Sequence, residues 1–391
     1  MKQIKYFEDL LLKNANILII ICWLLLTIVY LHIFGIVSNA EALKYISQAT
    51  LFNNTCSFSE SRYWFYCITI FIIALAFKIK TGLIGAFILQ SLINVCALLF
   101  FHNSLKKIFK SRLTAFSIII YLLIFWPYQS WIVFLFTESA FFSMILILFS
   151  TLVFLKPDSF KNILIISLAL LFVIISRPLG ILFIPAVYIY FFYNATRKWK
   201  IILSGISIIL FISAFYIVNI IFSSISDWHI TQAFEQESII CDLPTTTPSH
   251  DTIYLATNAS PVYQLFYYVT HNFAHFLNFS IVKLQYFFLL TRPYFSKAHN
   301  YFVLLNVVPL YLLGLGSFFI TPLKFNRGIS LFLGTLIFTY TITILFQCDD
   351  YQNRFILSIY PFFVVLAAKS VEYLVLNFFK NNKQTTRISV D

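Results

Sequence analysis

Apolar runs of about 18 residues or more recur from one end of this chain to the other, beginning with Ile17–Ile36. Within a hydrocarbon layer no water satisfies backbone N–H and C=O groups, so runs of this kind close into helices. Hydrophobic residues make up 60% of the 391 and charged residues 11%, against roughly 25% charged in a soluble globule. The expected fold is all-α, a polytopic transmembrane bundle of about ten spans, with interfacial helices in two large outer loops. Ile17–Ile36 is too long for a signal-peptide core and no small-residue cleavage site follows it, so it is expected to be the first span.

Charge sets the expected orientation. The net charge is +12, but Lys and Arg fall in short loops between apolar runs, so the excess points to a membrane and not to nucleic acid. The groups Lys2/Lys5/Lys13, Lys106/Lys107/Lys110/Arg112, Arg197/Lys198/Lys200, Lys324/Arg327 and Lys380/Lys383/Arg387 are all expected in the cytoplasm. Spans at 17–36, 83–101, 114–134, 138–155, 162–176, 180–193, 200–222, 299–319, 328–346 and 355–376 satisfy that expectation. A single membrane domain then covers 1–376, with outer loops 37–82 and 223–298 and a cytoplasmic tail 377–391. Residues 62–77 are apolar as well, but a crossing there would carry Lys106–Arg112 outside. The segment is therefore expected to skim the membrane or re-enter it, which leaves Lys78 and Lys80 outside, against the usual bias. Residues 223–261 read as a polar loop. Residues 262–290 are aromatic and amphipathic, as interfacial helices are.

The cysteines show no CxxC and no Cys/His metal spacing. Cys22 and Cys96 lie in spans. Cys56, Cys241 and Cys348 all fall in expected outer segments, where one disulfide among the three is open. His271, His275 and His299 are read as interfacial histidines, since their spacing suits no metal. No metal and no cofactor is expected.

A charge within or at the rim of a span costs about 2.5–3.5 kcal/mol or more, so it usually has a partner or a task. On this topology the unusual charges gather at outer ends: Glu41 after the first span, Glu138 in Thr137-Glu138-Ser139, Arg177 before Pro178, Arg292 before Pro293, and Asp349, Asp350 and Arg354 in the last outer turn. An arginine fork binds two phosphate oxygens, and a carboxylate can take a proton from a hydroxyl. Each residue also has a plainer reading. Arg177 can snorkel to headgroups, Glu41 and Glu138 can be acids in first helical turns, and Asp349 or Asp350 can pair with Arg354.

Glu41…Tyr45 followed by Ala49, Thr137-Glu138-Ser139, Arg177-Pro178-Leu179-Gly180 and Arg354-Phe355…Pro361 resemble, in order, motifs of the GT-C superfamily of integral-membrane glycosyltransferases. Protein O-mannosyltransferases and the lipid A aminoarabinose transferase belong to it. The resemblance covers roughly residues 15–375. It implies a polyprenyl-phosphate-linked sugar donor, a lipid, glycan or protein acceptor, and transfer outside the cytoplasm, as in a bacterial inner membrane. It implies Glu41 as the base and Glu138 as a second acid. Tyr45, Arg177, Arg292, Arg354 and Asp350 are then substrate contacts. Many members carry Asp where this chain has Glu41. The competing readings are a transporter or flippase for a lipid-linked glycan and a polysaccharide polymerase. The transporter reading calls for internal repeats, and none is visible.

Overall fold

A computed structural model describes residues 13–205, 207, 208, 213, 216, 231–241, 243, 253–256, 259–319 and 327–388. Lys2, Lys5 and Lys324, and most of the expected span 200–222, lie outside the described residues. Every regular element among those described is helical, and the only β pairing is isolated bridges. Among the described residues, seven helices are long and apolar enough to cross a membrane, or eight if Arg112–Ile124 and Trp126–Val133, bent by 71°, form one span. The expected span 200–222 is mostly outside that set. Phe160–Ile174 and Pro178–Asn194, two of the expected spans, are apolar but shorter. The described chain divides into two compact units. The first runs to Val187 and includes Leu310–Leu333 and Leu357 onward; the second is Tyr188–Pro309 with Gly334–Ile356.

In the first unit, polar groups inside apolar helices fix the arrangement. Helices α1 (Ala15–Phe34), α2 (Ala42–Thr55), α3 (Cys67–Lys78) and α4 (Gly82–Ile108) follow one another, with a 3-10 turn at Ser61–Tyr66 before α3. Asn16, at the start of α1, bonds His102, near the end of α4, at 2.8 Å. Trp23 donates to Asn94 at 2.9 Å midway. The two helices are therefore antiparallel. At the other end Val37 pairs with the segment 133–135 (2.9 and 3.0 Å), and Gln90 donates to the carbonyls of Ile132 (2.6 Å) and Phe134 (3.1 Å). A chain that leaves α1 and enters α4 at the same end has made no net crossing between them. Ser61–Lys78 is long and apolar enough to cross by itself, yet α2 and α3 begin and end on one side of this pair.

Helix α5 (Arg112–Ile124) returns to that side. Its free first-turn N–H groups need acceptors. The Ser111 side chain accepts from Thr114, and the buried Glu372 carboxylate accepts from the backbone of Lys110 (2.7 Å) and Ser111 (2.8 Å) while pairing with Lys369 at 2.8 Å. Pro127 cannot continue a helical hydrogen-bond ladder, and the chain turns there into the short α6 (Trp126–Gln129). Helix α7 (Thr137–Phe154) then runs parallel to α4, with Ser143 near Asn94 (3.4 Å) and Ser150 near Ser104 (3.3 Å). Helices α8 (Phe160–Ile174) and α9 (Phe183–Asn194) follow, and α9 passes into the second unit at Tyr188. They meet at Gly180, where a Cβ would stand 2.4 Å from the Val173 carbonyl oxygen, so a side chain has no room.

The second unit holds the short α10 (Gln232–Glu235) and the helices α11 (Pro261–His271) and α12 (Phe273–Leu289), the latter two broken at Asn272. Phe234, Tyr268 and Phe279 form its core. Tyr268 bonds His275 at 2.6 Å, and His275 bonds Glu237 at 3.0 Å. Lys283 is fully buried beside this core, its amine 4.3 and 4.5 Å from the ring centres of Phe234 and Phe279. Of the three cysteines left open by sequence, Cys241 and Cys348 are joined, and Cys56 is free and exposed. Beside that disulfide, Cys241 and Asp349 exchange backbone bonds with Asp349 and Ile239 (2.9 and 2.8 Å). The remaining helices are α13 (Lys297–Phe319), α14 (Arg327–Phe346) and α15 (Arg354–Ile388).

Burial pushes the Lys283 ammonium down from 10.5 to about 7. Between those values the unfolded chain holds the extra proton, so stability falls as pH drops from about 10 towards 7. Lys283→Met should flatten this dependence in thermal unfolding in detergent between pH 7 and 9.5. An unchanged slope would place the titration elsewhere. Glu372→Ala should cost about 3–5 kcal/mol, the usual penalty for stripping a buried ion of its partner, read as a shift in the unfolding midpoint.

Candidate functional site

Helix α1 ends at Gly35 with a left-handed φ of +65°, and the chain folds back at Ala40, also left-handed at +51°. This sets Glu41 at the N-cap of α2, yet its carboxylate makes no capping bond. The carboxylate instead accepts from the Tyr45 hydroxyl, one turn on, at 2.6 Å. The plain reading of Glu41 as a helix-end acid thus does not describe its contact. Tyr45 is buried. Burial, and then the charge of Glu41, raise its phenol above the ordinary value. The hydroxyl therefore stays protonated and donates to Glu41, fixing one carboxylate oxygen in direction.

Glu138 lies in the first turn of α7 and is completely buried. Arg177 precedes Pro178, and a residue before proline is pushed to an extended backbone. Its φ and ψ of −165° and 146° comply. From there the guanidinium reaches Glu138 and forms a buried ion pair with it. Arg177 does not snorkel, since its side chain is only 9% exposed.

Tyr66 brings these two pairs together. Its ring lies 5.6 Å from that of Tyr45, and it is within electrostatic range of Arg177, Glu41 and Glu138. Tyr45 also feels the charge of Glu138. Five side chains from four stretches of sequence thus meet at one end of the first unit. It is the end where Val37 pairs with 133–135, opposite the Asn16–His102 and Glu372–Lys110 contacts. Sequence reasoning missed Tyr66 because Tyr63-Trp64-Phe65-Tyr66 reads as undifferentiated aromatic packing. Its only signal was its place between Glu41 and α4, in a segment already expected to stay at the surface.

The other expected contacts, Arg292, Asp350 and Arg354, lie in the second unit. Arg292, expected as a substrate contact, is held by groups of the protein itself. Its side chain is wholly buried and already engaged, with Asp349 at 2.5 Å and the carbonyls of Tyr286 (2.8 Å), Thr291 (3.1 Å) and Asp350 (3.1 Å). This makes Arg292 a strut that ties the end of α12 to the 348–350 turn. Burial pushes Asp349 up to about 6, with Arg292 opposing the shift. Asp350 pairs with Arg354 at 2.7 Å, so the plain reading holds for that acid.

No family model matches this chain. No curated protein and no solved structure matches it either. What the site can do therefore rests on its own chemistry. It offers two carboxylates, Glu41 half-buried and held by a phenol, and Glu138 buried and held by a guanidinium, where its field is strong. That set suits proton removal from a hydroxyl next to an anionic group. Among the described residues, no three His, Cys, Asp or Glu side chains are grouped to hold a metal ion.

Removing one partner of a buried ion pair leaves the other charge uncompensated, at about 3–5 kcal/mol. Arg177→Met should therefore destabilise the protein by about that much. Adding Glu138→Gln should return most of the loss, since the two changes share one interaction. Additive losses in the double variant, measured by unfolding in detergent, would show that the pair is not the source.

Proposed function

We propose that this protein is an integral-membrane glycosyltransferase. It moves a hexosyl or pentosyl group from a polyprenyl-phosphate donor to an acceptor hydroxyl on the extracytoplasmic face of a cell membrane. One observation carries the reading: Glu41, Tyr45, Tyr66, Glu138 and Arg177 converge at one end of a bundle of apolar helices. The resemblance of their motifs to the GT-C superfamily supplies the substrate class.

In this reading Glu41 accepts the proton of the acceptor hydroxyl, held for that task by Tyr45. The acceptor oxygen forms a bond to the anomeric carbon as the bond from that carbon to the phosphate oxygen breaks. Polyprenyl phosphate leaves with the electron pair, and the anomeric configuration inverts. Arg177, kept in place by Glu138, supplies the positive field that stabilises the departing phosphate. Tyr66 lies beside both pairs. Arg354 and Asp350, in the second unit, have no part in this assignment.

The sidedness of the reading draws support from the disulfide. Disulfides persist in oxidising compartments, so the Cys241–Cys348 link suits a turn outside the cytoplasm.

The test is to incubate purified protein with a panel of polyprenyl-phosphate sugars, supply an acceptor extract, and measure free polyprenyl phosphate. Glu41→Gln keeps size and removes the base, and should lower release by at least about a hundredfold. Glu41→Asp should keep part of the activity, because the carboxylate remains but is set back by about one bond length. Release at the wild-type rate by Glu41→Gln would overturn the assignment.

A further inference from the structure

The elements that carry the site also have an outward surface of a different kind. The 3-10 turn at Ser61–Tyr66 brings Tyr66 to the site but exposes Arg62 and Trp64, the latter by 55%. Helix α3 exposes Phe71, Leu75 and Lys78 at helical spacing, followed by Ile79 and Lys80. Trp64 packs on Phe58 at 4.9 Å, and Phe58 on Phe71 at 6.1 Å, so the aromatic part of this surface is continuous. The stretch between residues 37 and 82 carries four cations and two acids. One acid, Glu41, belongs to the site, and the other, Glu60, pairs with Arg62 at 2.8 Å. Lys78 and Lys80 form no ion pair among the described residues.

An apolar stripe edged by unpaired lysines fits one setting. The rings and aliphatic groups enter the acyl boundary, and the lysine stems carry the ammonium groups to headgroup level. A zwitterionic surface would take up the apolar groups and leave both lysines without counter-charge. A polyanion in water would meet the lysines and leave Trp64, Leu75 and Ile79 wet. We infer that this segment is a docking surface for anionic phospholipid headgroups. The inference explains why Lys78 and Lys80 lie on the same side as Glu41, where charge bias alone would not put them. It rests on the membrane reading and not on the transferase reading. Its consequence for the site is direct, because the turn that exposes Trp64 also positions Tyr66.

Each lysine near an anionic surface contributes about 1 kcal/mol, or about fivefold, so the pair gives a preference of about 25-fold for phosphatidylglycerol over phosphatidylcholine. The experiment places purified full-length protein in nanodiscs of the two lipids, with either one brominated. The Trp64 signal is the difference in emission between wild type and Trp64→Phe. Brominated phosphatidylglycerol should quench it at a far lower mole fraction than brominated phosphatidylcholine. Lys78→Gln with Lys80→Gln should bring the two lipids to parity, and Lys78→Arg with Lys80→Arg should keep the preference. Equal quenching by both lipids in the wild type would overturn the inference. Absence of quenching by either lipid would do the same, since Trp64 would then not lie in lipid.

Discussion

Glu138 and Arg177 carry opposite charges into a part of the protein where neither is exposed to water, and much of the first unit is arranged to make that tolerable. A buried charge survives only with a partner of good geometry, and both backbones here have little freedom to adjust. Pro178 holds Arg177 extended, and Gly180 lets the following turn close on Val173. Glu138 begins a helix whose interior is almost entirely buried. With the pair fixed, Tyr66 and Tyr45 have a defined wall to pack beside, and Glu41 gains a hydrogen-bond donor that burial keeps protonated. The site is thus a consequence of how the helices must be satisfied at one end.

The same requirement operates at the opposite end with different chemistry. Glu372 accepts from the N–H groups of Lys110 and Ser111, just before α5, and pairs with the amine of Lys369, and Asn16 meets His102. These contacts close the bundle where no substrate chemistry is assigned. The second unit is held by covalent and buried ionic links, Cys241–Cys348 and Arg292–Asp349. Both act on the short turn that precedes α15. Its charged residues are therefore occupied in holding a loop. The same charge types in the first unit are arranged around one another and around two phenols.

Much of this was legible in the sequence, for physical reasons. Long apolar runs have one solution in lipid, so the all-helical character followed from hydropathy. The rarity of charge made Glu41, Glu138 and Arg177 visible in a chain where most positions say little. Length was a poorer guide. Phe160–Ile174 and Pro178–Asn194 are shorter than an ordinary span, while Ser61–Lys78 is long enough to cross although α1 and α4 pair in a way that leaves no net crossing between them. Sequence shows Arg292 as a rim charge but not the acid, 57 residues away, with which it pairs. Tyr66 was invisible because one tyrosine among 23 carries no mark of its neighbours. The choice of Cys241 and Cys348 over Cys56 depended on which loops meet, which spacing cannot tell.

The central claim is that the Glu41–Tyr45–Tyr66–Glu138–Arg177 cluster receives a lipid-linked sugar phosphate. Photo-crosslinking tests it without knowledge of the acceptor. A polyprenyl-phosphate sugar bearing a diazirine next to the phosphate would be irradiated with the purified protein in lipid, and the labelled peptides sequenced. The account predicts labelling in the segments around Tyr66 and around Thr137–Glu138 and Arg177, abolished by excess unlabelled donor. Competable labelling confined to the Asp350–Arg354 turn, or labelling that excess donor leaves unchanged, would contradict it.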